Sequence, residues 1–292
     1  MRYSELAGDD CAIAQALGVV GDWWTLLVVR DVAGGTHRFD ALAAGLGVSR
    51  KVLAQRLAAL VDHGVLATRR YSEHPPRHEY HLTAAGQGLL PVLIALQNWG
   101  TRYVSGDGSL TATGAEGSAE VRHAHALVGT RVPELRLGHG SDGLDPVAGT
   151  PWTVLYCFPG AYPPDTQGYP PGWSAIPGAP GCTLESRTYR DRAGEFERRG
   201  VSVRGVSTQR VDQLDAFAEY EGIRFPLLSD AELGLAAALR LPTFRAAGVD
   251  RLKRLTLLVD RGRTVRGVLY PVADPAGSVG DALTLLDALD GR

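Results

Sequence analysis

Ala179-Pro180-Gly181-Cys182-Thr183-Leu184-Glu185 sets one cysteine behind a Pro-Gly pair and at the head of a helical pattern that runs to about Arg199. Amides at a helix start, with the local dipole, favour a thiolate over a thiol. Immediately upstream, Trp152-Thr153-Val154-Leu155-Tyr156-Cys157-Phe158 is apolar throughout, as a buried strand is. Pro159 stops it, and a Gly- and Pro-rich loop leads to Gly181. That loop is far longer than the usual strand-to-helix connection, and long loops often carry function.

Downstream, Val201 to Val206 reads as a strand, Val211 to Glu221 as a helix and Phe225 to Leu228 as a strand. Asp230 is placed to cap a helix over Ala231 to Leu239. Two strands, Arg254 to Val259 and Thr264 to Tyr270, flank the turn Asp260-Arg261-Gly262, and Ser278 to Leu289 is a closing helix. Strand, helix, strand, helix, strand, strand, helix is the thioredoxin-like order. Spacing alone does not say which strand end approaches Cys182, and by itself Arg254 reads as a surface cation.

The first hundred residues have a different pattern. A helix is expected from Asp9 or Asp10 to Leu17, a second over Trp24 to Val32, and a short third over Phe39 to Leu46 closed by Gly47. Ser49 caps a fourth, Arg50 to His63, ended by Gly64. Leu53, Leu57 and Leu60 share one face of it, while Lys51 and Gln55 project from the other. Ala54 and Ala58 keep that outer side thin enough for a major groove. Val65 to Tyr71 and Arg77 to Leu82 then form a hairpin, or wing, around Ser72-Glu73-His74-Pro75-Pro76. Arg69, Arg70 and Arg77 on it can reach phosphates or a minor groove. Thr83 can cap a long last helix bearing Leu89, Leu93, Leu96, Trp99 and Tyr103, bent early by Pro91. So apolar a helix at a domain edge usually buries against another subunit. Helix-turn-helix patterning also occurs in ordinary bundles, where Lys51 and Gln55 would be a solvated face.

At 292 residues the chain has room for two domains, and 45% hydrophobic with 21% charged residues is ordinary globular composition. A formal net charge of -2 means any nucleic-acid surface is a local patch. No run of about 18 apolar residues and no apolar leader appears, so neither membrane insertion nor secretion is expected, and a cytoplasmic location is. The expected division is 1–104, a linker over 105–123 of small and polar residues, and 124–292. Three cysteines, Cys11, Cys157 and Cys182, are too few and too scattered for a disulfide scaffold or zinc cluster. Each is an inert core residue or a reactive site. His74, His78, His81, His123 and His125 lack further ligands at metal spacing, and neither metal nor cofactor is called for.

Two resemblances sharpen this reading. Cys11-Ala12-Ile13-Ala14, Gly21-Asp22-Trp23-Trp24-Thr25-Leu26-Leu27, Arg38-Phe39-Asp40-Ala41-Leu42, Val52-Leu53-Ala54-Gln55-Arg56-Leu57 and Glu79-Tyr80-His81-Leu82-Thr83 follow one another in order. Together they resemble the HxlR-type family of bacterial winged-helix regulators over residues 9–103. The resemblance implies a homodimer on a palindromic double-stranded DNA operator, with Ser49, Arg50, Lys51, Gln55, Arg56, Arg69, Arg70 and Arg77 at the DNA. It also puts Cys11 where some relatives hold a sensing cysteine; packing at a dimer seam is the other reading.

Pro159, Pro180-Gly181-Cys182-Thr183 with Glu185, Gly205-Val206-Ser207-Thr208, Phe225-Pro226-Leu227-Leu228-Ser229-Asp230 and Arg254-Leu255-Thr256-Leu257-Leu258-Val259-Asp260 resemble the peroxiredoxin (AhpC/TSA-type) family over 128–290. That implies Cys182 as the peroxide-attacking cysteine, Arg254 as the guanidinium beside it, Glu185 as a polar partner, and a thiol reductant. The expected fold is thus two-domain, α+β and α/β: a winged helix-turn-helix, then a thioredoxin-like peroxiredoxin domain. Three departures matter. Ala179 stands where the family has a hydroxyl, 160–178 is inserted, and Arg187 stands where some relatives carry a resolving cysteine. Cys157 and Cys11 are the remaining internal candidates to resolve or sense. The leading expectation is a redox-responsive transcriptional regulator. The alternatives are a thiol peroxidase dimerised by its first domain, or a repurposed thiol-dependent enzyme or ligand-binding domain.

Overall fold

The computed structural model of the chain describes residues 10–74, 76–164, 166 and 168–291. Asp9, one expected helix cap, and Pro75 of the wing turn lie outside them. The chain divides between Leu93 and Ile94.

In the N-terminal unit, α1 (Ala12–Val20) starts after Cys11 rather than at Asp10 and runs past Leu17 to Gly21. The Asp22 side chain caps α2 (Trp23–Ala33) by accepting from the Trp24 amide at 2.9 Å. Gly47, in the left-handed region at φ 64, ends α3 (Phe39–Leu46). Ser49 caps α4 (Arg50–Asp62), accepting from the Val52 amide at 3.3 Å. The wing is β1 (Leu66–Ser72) paired antiparallel with β2 (Arg77–Leu82), with a register shift between Arg70 and Ser72. Val28 and Val32 of α2, Leu42 of α3 and Leu53, Leu57 and Leu60 of α4 form the core, each at most 2% exposed. The three-and-four spacing read along α4 is this buried face.

The long last helix is broken. Thr83 caps a single turn, α5 (Ala84–Gln87); α6 (Leu90–Trp99) follows, and then one turn of π-helix over Gly100–Val104. Pro91, at the second position of α6, needs no intrahelical amide partner and so starts the helix rather than bending it. Leu96, Trp99, Tyr103 and Val104 are exposed.

The C-terminal unit is built on a five-stranded sheet ordered β5-β4-β3-β8-β9. Its strands are β3 (Trp152–Cys157), β4 (Val201–Ser207), β5 (Leu227–Ser229), β8 (Leu255–Asp260) and β9 (Val265–Leu269). Central β3 is parallel to β4 and antiparallel to β8, the thioredoxin-like arrangement. Side chains of a strand alternate between faces. Val154, Tyr156 and Phe158 enter one core cluster with Cys182, Tyr189, Phe196 and Leu258, so Cys157 belongs to the opposite face of the sheet. Removing a large aromatic side chain from such a core costs about 3–5 kcal/mol.

Several boundaries depart from the sequence reading. The helix opened by Cys182 is two, α8 (Cys182–Asp191) and α9 (Ala193–Arg198), because Arg192 leaves helical geometry at φ -102, ψ 8, just before Gly194. Between β4 and β5 lies α10 (Val211–Glu221), as expected. Asp230 caps α11 (Gly234–Leu239) from further off than expected, accepting from the Leu235 and Ala236 amides at 2.9 and 2.8 Å. Leu233, at φ 58, swings the chain so that this carboxylate reaches over the intervening residues. A hairpin of β6 (Thr243–Ala246) and β7 (Val249–Leu252) was not anticipated. α12 (Gly277–Asp290) closes the unit.

The stretch expected to be a linker, 105–123, is ordered and belongs to the C-terminal unit. It contains most of α7 (Ala119–His125), capped by Ser118. Ala112 is fully buried, packs with Trp173, Ile176, Ala179 and Phe244, and donates its amide to the Pro177 carbonyl at 2.8 Å. Small residues fit here because they allow close packing, which composition alone does not distinguish from solvation. Among the described residues, no single helix is long and apolar enough to cross a membrane.

Candidate functional site

Two sites are built, one in each unit. In the N-terminal unit Ser49, Arg50, Lys51 and Gln55 lie exposed along the first turns of α4, with Ala54 and Ala58 also exposed between them. Arg50 pairs with Asp40 at 2.6 Å and lies over the Phe39 ring. Arg56 is different: its guanidinium bonds the capping carboxylate Asp22 at 2.7 Å and ties α4 to the start of α2. That makes it a brace between the two helices. On the wing, Arg69 and Arg77 are exposed, Arg69 opposite Glu79 in the register. Arg70 donates to the Ser72 and Glu73 carbonyls at 3.3 and 3.2 Å and holds the turn. Cys11 is exposed.

In the C-terminal unit the Pro180-Gly181 step does what the quoted stretch suggests. Gly181 takes φ 104, a conformation costly for other residues, and a Cβ there would stand 2.6 Å from Pro275. The turn delivers Cys182 to the first position of α8, 2% exposed. Arg254, just ahead of β8, is 1% exposed and spans the site. One amino group donates to Cys182 Sγ at 3.3 Å and to the Pro180 carbonyl at 3.0 Å. The other donates to Glu185 Oε2, one helical turn beyond the cysteine. The structure therefore brings together Cys182, Arg254 and Glu185 and corrects the reading of Arg254 as a surface cation.

The sulfur is not the resting anion its helix position suggests. Burial pushes the Cys182 thiol up, Arg254 pulls it down, and the Glu185 charge works against it. Its Sγ–H points to the Ala179 carbonyl at 3.5 Å. Burial also pushes Glu185 up, to about 7, against the opposing pull of Arg254. Ser278 lies beside this carboxylate, yet Oε1 is buried without a closed hydrogen bond. One guanidinium thus faces two acids that cannot both be ionised cheaply in a dry pocket. Cys157 is fully buried, its thiol pushed well up by desolvation, on the face of β3 away from Cys182.

The inserted segment is built into the unit, with Ala161 packed in the same core as the cysteine. Tyr169 lies in this segment, and burial pushes its hydroxyl up. Its ring meets Tyr162 edge-on at 5.0 Å and Trp173 at 5.5 Å. Gln209 fixes the start of the segment, its amide bonding both the N–H and the carbonyl of Ala161, at 2.8 and 2.7 Å. Arg251 of β7 donates to the Pro159 carbonyl at 3.2 Å and lies over Trp173. Sequence reading missed Tyr162, Tyr169, Trp173, Gln209 and Arg251; only the unusual loop length pointed their way. The same unit holds a cavity of about 750 Å³ lined in part by Asn98, Arg102, Glu120 and Lys253, and Cys182, Glu185 and Arg254 do not line it.

Comparison with known proteins places both units. The HxlR-like helix-turn-helix family matches residues 19–107 and the AhpC/TSA family matches 174–268. An uncharacterized HTH-type transcriptional regulator of Mycobacterium tuberculosis is 42% identical over 93 residues, 32% of this chain and 59% of that protein. The chain therefore spans less than two thirds of that relative's length. Another, from Synechocystis, is 38% identical over 98 residues, 33% of this chain and 73% of that protein. The crystal structure of peroxidoxin BcpB from Mycobacterium tuberculosis aligns at 28% identity and a TM-score of 0.45, over 55% of this chain and 96% of its own. The chain belongs to the HxlR-like family of helix-turn-helix transcriptional regulators and carries an AhpC/TSA peroxiredoxin-like domain behind that module.

Proposed function

We propose that the chain is a redox-responsive DNA-binding transcriptional regulator in which oxidation of Cys182 alters operator affinity. The observation that carries this is the Arg254 guanidinium shared by Cys182 Sγ and Glu185 in a buried pocket. One fixed cation can thus serve either acid as the proton moves between them. Cys182 gives its proton to Glu185, and the thiolate is left with the guanidinium to itself. The sulfur attacks one peroxide oxygen; an S–O bond forms and the O–O bond breaks. The sulfur is oxidised by two electrons, and the departing hydroxide or alkoxide takes the proton held by Glu185. A sulfenic acid remains. Ala179 offers no hydroxyl to orient the peroxide, and no second cysteine shares the pocket face, which favours a stoichiometric switch over rapid turnover. An external thiol then returns the sulfur to its reduced state.

On the DNA side, Ser49, Lys51 and Gln55 of α4 read the major groove, and Arg50, Arg69, Arg70 and Arg77 meet phosphates. Two such units, paired as a homodimer through α1 and α2, would face two half-sites; Ile13, Leu17 and Trp23 are 72%, 48% and 59% exposed there. A chain that reads an operator works in the cytoplasm, with the DNA. Operator binding by the reduced and peroxide-treated chain, for wild type and Cys182→Ser, tests the reading. Peroxide shifts affinity only in the wild type; equal affinity in all four cases refutes it. Sustained peroxide consumption with a thiol reductant would instead favour the peroxidase alternative.

A further inference from the structure

The cavity of about 750 Å³ lies wholly within the C-terminal unit and is open to solvent on one side. Clefts of about 300–1,000 Å³ suit small-molecule ligands. Its inner wall is charged and buried. Lys253, just after β7, is 3% exposed and pairs with Glu120 of α7. A lysine ammonium has three N–H donors. One goes to Glu120 Oε2 at 2.9 Å and one to the Thr113 carbonyl at 3.2 Å; the third has no acceptor among the described residues. Glu120 is half used in the same way. Its Oε2 also accepts from the Tyr270 hydroxyl at 2.9 Å, while Oε1 has no donor among the described residues. Both side chains line the cavity, so its inner wall presents a spare donor beside a spare acceptor.

The outer wall is aromatic. Trp99 and Tyr103 line the cavity together with buried Phe244, and they are 59% and 53% exposed with ring centroids 6.1 Å apart. Asn98, beside Trp99 at the end of α6, donates to Asp250 at 2.8 Å and accepts from the Thr243 hydroxyl at 2.6 Å. Those bonds fix the end of α6 to the β6–β7 hairpin, so the cavity is preformed. Aromatic walls match a flat apolar body, and the paired spare groups match a donor and an acceptor on one of its edges.

We propose that this cavity binds a flat heteroaromatic molecule carrying a cyclic amide, a C=O beside an N–H on one edge of the ring system. Lys253 donates to the C=O, the N–H donates to Glu120 Oε1, and Trp99, Tyr103 and Phe244 take the ring. A carboxylate placed there would meet the Glu120 charge, and a hydrocarbon would leave both spare groups unpaired. The site stands independently of the peroxide reading, because Cys182, Glu185 and Arg254 do not line it.

Calorimetric titration of the full chain with 2-quinolone and N-methyl-2-quinolone tests the assignment. These probes differ only in whether the amide nitrogen carries hydrogen or methyl. The wild type should bind 2-quinolone about tenfold more tightly, since the methyl leaves Glu120 Oε1 without its donor. Equal affinity, or no binding of 2-quinolone, overturns the proposal whether or not any variant folds. Glu120→Gln keeps the shape of the side chain. Lys253 and Tyr270 then claim its carbonyl oxygen, its NH2 group faces the ligand, and the preference falls to about one. A preference undiminished in Glu120→Gln would mean that the methyl is rejected by bulk alone, and it too overturns the proposal. Trp99→Ala, at an exposed position, should weaken 2-quinolone about tenfold. Unchanged affinity in that variant would put the ligand outside this cavity.

Discussion

Ion pairs in the two units sit in different media. Arg50 of α4 and Asp40 of α3 are 73% and 76% exposed, whereas Arg254 and Glu185, beside the cysteine, are 1% and 0% exposed. In water a charge pair contributes little and stays free to meet a phosphate. In a dry pocket the same pair is expensive to form and more expensive to halve. The first unit keeps its charges available to a macromolecule, and the second confines them so that one proton decides which of two acids is ionised.

The sharpest way to break this contrast is to halve the buried pair. Arg254→Met should cost about 3–5 kcal/mol in denaturant unfolding, since it strands Glu185 without a partner. A loss near that of an exposed pair would mean that water reaches the pocket. Next comes pH. Glu185 is held at about 7 in the folded chain against 4.5 as its ordinary value, so the native state keeps its proton where the unfolded chain has lost it. Its contribution therefore falls as pH rises from about 4.5 to about 7, opposite in sign to a salt-bridged surface carboxylate. Comparing unfolding midpoints of wild type and Glu185→Gln across that window should show the slope only in the wild type.

Effects in the N-terminal unit are smaller on stability. Ser49→Ala, which removes the α4 cap, should cost about 1 kcal/mol. Smallest of all, Lys51→Ala should leave the unfolding midpoint within about 0.5 kcal/mol of wild type. It should nonetheless reduce the slope of log affinity for DNA against log salt by about 1 if Lys51 meets a phosphate, and not at all if it reads a base edge.

The same difference of medium explains what could be read in advance. Lys51 and Gln55 were legible because a surface residue acts where the helix period puts it, and Leu53, Leu57 and Leu60 fixed that period. Cys182 was legible from the Pro-Gly step before it. Arg254 needed the resemblance as well, because alone it looks like a strand-end cation, and only the pairing of β3 with β8 turns it inward. The helix start alone points to an anionic sulfur, yet burial pushes the thiol up: an amide-lined helix start is a local property, while desolvation depends on residues far away in sequence. Arg251 was invisible for that reason too, sitting on four-residue β7 and meaning nothing until Trp173 and Tyr162 close around it. Residues 105–123 misled in the other direction, since Ala112 and its small neighbours look the same whether solvated or packed.

Cys182 is 2% exposed, and Tyr162 and Trp173 of the inserted segment are each 8% exposed. A sulfur so buried meets an oxidant only when its surroundings open. Raising the peroxide concentration should therefore speed oxidation only up to a ceiling, set by how often they open and common to every oxidant small enough to enter. The protein would then disregard brief bursts of peroxide and answer to the duration of exposure.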